Sequence, residues 1–187
     1  MDFTKLTRLY MPLLIPGILD AKRMSYDRLI EKIDDLEFVT RSVIQDTKEI
    51  TIQLQIIDEE LLQHLLSGEA NKFWLASMFT LNRAHQIQNG NVAWQAVEHY
   101  YAAYYAVHYL LRISGVSLTN LDSNAISAIA QNNIGTPISV NIPNGLYTIR
   151  YDKNNSALML KKSIKNKGGG SHKDAWRLWE ELIVRLH

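Results

Sequence analysis

Residues 161–173 read Lys-Lys-Ser-Ile-Lys-Asn-Lys-Gly-Gly-Gly-Ser-His-Lys and carry the densest chemistry in the chain. Lys161, Lys162, Lys165 and Lys167 stand ahead of Gly168, Gly169 and Gly170, and Ser171, His172 and Lys173 follow. Three glycines let backbone amides approach a ligand without side-chain obstruction. A helix beginning at Ser171 would add unbonded N–H groups and the positive end of its dipole. With the lysines, this composition suits a phosphate, although the Walker order G-x-x-x-x-G-K-[ST] is absent. His172 would fall in the first turn of that helix, where dipole and lysines both disfavour the imidazolium. A ring poised this way can exchange protons with a substrate. The plainer alternative is a solvated lysine face with a surface histidine.

Other constellations are sparse. His99 and His108, nine positions apart, do not share a helical face at metal spacing. Glu98-His99 lacks the second such pair that a di-iron bundle uses. His64, His85 and His187 are isolated, and no Ser-His-Asp elbow is recognisable. The chain has no cysteine, which excludes disulfides, thiolate zinc sites and cysteine nucleophiles. No metal and no cofactor is implied.

The segment 93–113 is the strongest helix in the sequence, and five of the nine tyrosines fall between positions 100 and 109. Trp94, Val97, Tyr101, Tyr104, His108 and Leu111 follow helical steps and form one broad stripe. Such a stripe reads first as core, with tyrosine hydroxyls bonded at its ends. Tyr100, Tyr104 and Tyr105 are also candidates for a base-stacking platform or a subunit interface.

The run Trp94-Gln95-Ala96-Val97-Glu98-His99-Tyr100-Tyr101-Ala102-Ala103-Tyr104-Tyr105-Ala106-Val107-His108-Tyr109-Leu110-Leu111, closing in Ser114-Gly115, resembles the core helix of the HEPN superfamily. The likeness extends over about residues 70–187. HEPN ribonucleases carry an R-x(4–6)-H motif near the start of a late helix. Here Lys165-Asn166 followed by His172 gives K-N-x5-H, the long form with lysine in place of arginine. The resemblance implies metal-independent RNA cleavage in which the 2′-hydroxyl attacks the adjacent phosphate. His172 would then move the proton, Lys165 would stabilise the phosphorane charge and Asn166 would position the phosphate. It also implies a homodimer in a bacterial defence or toxin system, with RNA as partner. Lysine is a point charge and lacks arginine's bidentate fork. Two readings therefore stand: an endoribonuclease, or a non-catalytic assembly or sensor subunit making protein contacts in a defence complex.

The elements that must position these residues follow from periodicity. Residues 25–47 step as a helix, through Ile30, Ile33 and Leu36. The strict alternation of 50–56 favours a strand, while Ile50, Leu54, Ile57 and Leu61 also fit helical steps. Asp58 caps a short helix over 59–66 that stops at Ser67-Gly68, and a separate helix covers 71–88. Another covers 123–132. Short strands follow at 138–142, 146–151 and 157–160, split by Pro143-Asn144-Gly145 and Asn154-Asn155. A last helix starts in a Ser171–Asp174 capping box. The expected fold is mostly α (α+β). An N-terminal helical extension, 1–69, with one strand at 50–57, precedes a HEPN-like helical bundle, 70–187. A small antiparallel β-meander is inserted in that bundle at about 136–162.

Composition supports a folded chain of 187 residues, 47% hydrophobic and 21% charged. The net charge of +1 hides a polarity: residues 20–69 hold twelve acids against six bases, and 150–177 hold eight bases against two acids. The longest apolar run, 9–19, contains Pro12 and Pro16 and falls short of the roughly 20 residues a membrane span needs. Asp20-Ala21-Lys22-Arg23 after it is not a signal-peptidase site. The run reads as a proline-bent segment packed on the body or on a partner, in a cytoplasmic protein with no membrane contact.

Overall fold

The alternation of Ile50, Ile52, Leu54 and Ile56 becomes a strand with one face fully buried and the other half-exposed. The computed structural model describes residues 10–21, 29–86, 92–133, 141–163 and 170–184. The strands are β1 (Phe38–Gln45), β2 (Glu49–Ile56), β3 (Val116–Leu121), β4 (Gly145–Asp152) and β5 (Ala157–Ser163). They form one antiparallel sheet in the order β1-β2-β5-β4-β3. The helices are α1 (Pro16–Asp20), α2 (Glu59–Gln86), α3 (Val92–Ile113), α4 (Ser123–Gln131) and α5 (Ser171–Val184). The chain is thus a mixed α+β protein. No described helix is long and apolar enough to cross a membrane.

Several expectations are corrected. The helix expected over 25–47 is a short 3-10 turn, Leu29–Lys32, followed by β1; residues 22–28 lie outside the described ones. The helical steps of Ile30, Ile33 and Leu36 end where Val39, Thr40, Val43 and Ile44 favour a pleated strand paired to β2. The helices expected at 59–66 and 71–88 are one, α2, running through Ser67-Gly68 without a stop. Ser67, Gly68 and Ala70 are buried there, so tight packing outweighs glycine's poor helix propensity. Asp58 does cap this helix, its Oδ1 accepting from Leu61 N–H at 2.9 Å.

The expected β insert is not a separate appendage. β4 and β5 form the predicted hairpin, but β5 also pairs with β2 and β4 with β3. The expected boundary at 69/70 falls inside α2, and the early strands share one sheet with the late ones. The strand expected at 138–142 falls mostly outside the described residues, and Asn141 and Ile142 are not in a strand.

Two helices and the glycine turn after them place the site. α2 and α3 run antiparallel, as three cross-links record: Ser77 Oγ donates to Ala102 C=O, Arg83 pairs with Glu98, and Arg112 pairs with Glu69. α3 ends at Ile113 and turns at Gly115, whose φ of +71° favours glycine. The proline-bent segment packs against this turn: Ile15 and Ile18 are buried, and Ile15 N–H bonds Ile113 C=O at 3.0 Å. A Cβ at position 115 would press on Ile15 Cδ1. Gly115→Ala is therefore expected to cost about 1–3 kcal/mol, read as a lower urea midpoint. An unchanged midpoint would mean the turn relaxes freely.

Candidate functional site

α5 lies on α3 through Ala175, Leu178 and Leu182, which share a cluster with Tyr104, Val107 and Leu111. That register sets His172, one turn before Ala175 and Trp176, against the tyrosines of α3. Its imidazole stacks on Tyr104 at 4.2 Å between centroids and 6° between planes. Tyr100 lies nearly parallel to it at 5.8 Å, and Tyr101 meets it edge-on at 5.7 Å. Tyr100 Oη is 3.0 Å from His172 Nδ1 and accepts a hydrogen bond from Trp176 Nε1 at 3.3 Å. An indole only donates, so the phenol's own proton is free to go to Nδ1. The imidazole is then the neutral Nε2–H form. On the alternative protonation, Nδ1–H donates back to the phenol. Among the described residues no group bonds His172 Nε2, and the residue is half-buried.

The helix begins at Ser171, and Asp174 N–H bonds Gly170 C=O. Gly170, rather than Ser171, thus occupies the cap position, which corrects the expected capping box. Gly170, Ser171 and Lys173 are exposed, and a side chain at Gly170 would meet nothing within 4 Å. Lys165, Asn166, Lys167, Gly168 and Gly169 lie outside the described residues.

Lys161 and Lys162 are placed elsewhere. They line a cleft of about 760 Å³ between the sheet and the side of α5 bearing Asp174, Arg177 and Glu181. Lys161 pairs with Glu49 at 3.2 Å, and Lys162 donates to Asn144 C=O and sits 5.5 Å from the centroid of the Tyr147 ring. Arg150 and Arg177 both pair with Glu181. His172 stacks on α3, whereas these lysines face a different side of α5.

The tyrosines divide as well. Tyr100 and Tyr101 are exposed, as are Trp94 and Val97, so the aromatic stripe is core only in its second half. Tyr104 is buried, with one ring face covered by His172, which leaves that face closed to a base. Tyr105 is half-buried, against Tyr101, Tyr104 and Phe73.

Behind Tyr104 the stripe buries His108, as its helical step implied, and joins it to an ion pair that periodicity did not show. His108 meets Tyr104 edge-to-face at 4.6 Å and stacks on Phe73 at 4.7 Å. Its Nδ1 lies 3.0 Å from Arg112 Nη1, which only donates, so Nε2 carries the proton. That Nε2 is buried without a partner among the described residues. Arg112 in turn pairs with Glu69 at 2.7 Å, both side chains about 95% buried, and its guanidinium lies over the Phe73 ring. The one hint in the sequence is a histidine and an arginine four apart in the otherwise apolar end of α3.

Burial, then the charges of Arg112 and His172, push the His108 pKa down to about 3. The unfolded chain protonates this histidine near 6.5, the native state only near 3. Between those values the unfolded state holds the extra proton, so stability is complete above about 6.5 and falls as pH drops. Glu59, held low by Ser156 and Tyr151, adds its own loss only at lower pH. Going from pH 7 to 4.5 should cost about 2–3 kcal/mol through His108. His108→Gln keeps an acceptor for Arg112 and should flatten that slope in urea titrations. Equal slopes would show that His108 does not titrate this way.

Comparison with protein-family models, with curated proteins and with solved structures finds no match to this chain.

Proposed function

We propose that this chain is an RNA-binding protein with a HEPN-like helical core, α2, α3 and α5, joined to a five-stranded sheet. It cleaves RNA without a metal, acting as a cytoplasmic homodimer in a bacterial defence or toxin system. The observation that carries this reading is His172: an imidazole at a helix N-terminus, clamped on Tyr104, held at Nδ1 by Tyr100, with Nε2 left for a substrate. The 2′-oxygen attacks phosphorus, the P–O5′ bond breaks, and the products are a 2′,3′-cyclic phosphate and a 5′-hydroxyl. In the tautomer whose Nδ1–H donates to Tyr100 Oη, the Nε2 lone pair of His172 takes the proton that leaves the 2′-hydroxyl, and a proton returns to the 5′-oxygen. The amides at the start of α5 and Lys173 attract the phosphate. Lys165 and Asn166 take their roles, charge stabilisation and phosphate positioning, from the resemblance alone.

Pure protein incubated with single-stranded and structured RNA, chelator present, should yield cyclic-phosphate ends. Intact RNA would favour the second reading, an assembly or sensor subunit. A separate observation supports that one: Trp74, Met78 and Phe79 on α2 and Val92 and Trp94 on α3 are exposed, Phe79 by 72% and Val92 by 78%. Either reading uses a dimer burying about 1,200–2,000 Å², and light scattering at micromolar concentration should register twice the chain mass. A monomer would remove that claim.

RNA affinity should fall steeply with salt as lysine–phosphate contacts release counterions. Replacing Lys161, Lys162 and Lys167 together by alanine should reduce the slope of log K against log salt by about 1–2. The contribution of Lys161 is blunted by Glu49. An unchanged slope would make these lysines a solvated face.

A further inference from the structure

On the other side of the Tyr104–Tyr105 wall, a cavity of about 410 Å³ opens between α2, α3 and β3. This volume lies within the range of small-molecule sites, and the cavity has their composition: mostly apolar, with a few convergent polar groups. Phe73 and Tyr105 supply aromatic walls, and Leu118 and Ala76 supply apolar ones. The inner end holds the Glu69–Arg112 pair, both residues below 5% exposure, and exposed Lys72 marks the mouth.

The inner end holds hydrogen-bonding capacity that the described residues do not use. Arg112 has five N–H groups. Nε donates to Glu69, Nη1 to His108 Nδ1 and His108 C=O, and Nη2 to Leu118 C=O at 3.4 Å. One Nη2 proton is left without an acceptor among the described residues. Glu69 accepts once at each oxygen, from Leu29 N–H and from Arg112, and so keeps lone pairs unused. A buried charged pair with an unused donor and an unused acceptor side by side is costly in an apolar setting unless something completes it. The matching edge is a carbonyl beside an N–H, which is a ring lactam. The aromatic walls suit a planar ring. Lys72, with no ion-pair partner among the described residues, and Arg112 together outweigh the single charge of Glu69, so the cavity's charge suits an anionic group near its mouth.

We infer that this cavity is a binding site for a small planar heteroaromatic lactam bearing an anionic group. Its ring lies against the Phe73–Tyr105 wall, its N–H and C=O edge meets Glu69 and Arg112, and its acid reaches Lys72. The inference does not rest on the RNA reading, since binding is measured without cleavage.

The test titrates the full chain by calorimetry with orotate, pterin-6-carboxylate and GMP, and with benzoate as an anion lacking the lactam edge. At least one lactam should bind with Kd below about 1 mM, and benzoate at least about tenfold more weakly. Which lactam binds best distinguishes a one-ring, two-ring or nucleotide ligand. Lys72→Ala, at an exposed position that leaves folding intact, should weaken binding by about tenfold, and more at low salt. Ala76→Leu, which fills the cavity, should abolish it. The inference fails if no lactam binds, if benzoate binds equally well, or if neither substitution changes the affinity.

Discussion

Arg112→Met alone is expected to lower the unfolding free energy by about 3–5 kcal/mol, the cost of stranding one charge of a buried pair. Glu69 would keep only the Leu29 N–H while remaining about 95% buried. Glu69→Leu alone should cost a similar amount, because the guanidinium then sits over Phe73 with no counter-charge. The double variant, Glu69→Leu with Arg112→Met, should recover most of either loss. An apolar pair of similar volume needs no desolvated charge. Urea unfolding followed by far-ultraviolet circular dichroism measures all three, and the coupling is the difference from additivity. Single losses below about 1 kcal/mol would mean the pair is hydrated and is not the link between α2 and α3 described above.

This ion pair also marks where sequence reasoning stops. Its partners lie 43 positions apart, and no local pattern joins them. Periodicity was sufficient where one element faces one neighbour. The alternation of β2, the helix α3, the cap of α2 at Asp58 and the β4–β5 hairpin all appear as expected. It failed where tertiary pairing decides. Val39, Thr40 and Val43 become a strand only because β2 lies beside them, and Ser67-Gly68 stays helical only because packing buries it. β3 is six residues long, and although Val116-Ser117-Leu118-Thr119 alternates apolar and polar residues, its polar face is buried too, with Ser117 and Thr119 bonded to each other. For the site, the glycine run announced a helix start at Ser171, and α5 begins there. The sequence could not show that β5 would be an inner strand. That placement sends Lys161 and Lys162 to the cleft beside Glu49 and Arg177, while His172 turns to the tyrosines.

His172→Ala is expected to reduce RNA cleavage by about 10²–10⁴-fold while RNA binding survives, because proton transfer is lost and the amides and lysines are not. The loss should appear in kcat rather than KM, since the imidazole acts on a proton that moves in the transition state. Tyr100→Phe keeps the ring beside His172 but removes the oxygen from Nδ1, so it tests positioning. A smaller drop, about tenfold, with unchanged affinity and a shifted pH profile is expected. A merely structural Tyr100 would leave that profile where it was. Lys165→Arg should preserve or raise the rate, as the planar fork contacts two phosphate oxygens where an ammonium offers a point charge. Lys165→Ala should lower it by about 3 kcal/mol, comparable to removing one oxyanion donor. Cleavage by His172→Ala at the parental rate would remove the catalytic assignment. If both the parent and Lys165→Arg leave every RNA intact, His172 is a packing residue between α3 and α5, and the exposed α2–α3 face becomes the functional surface.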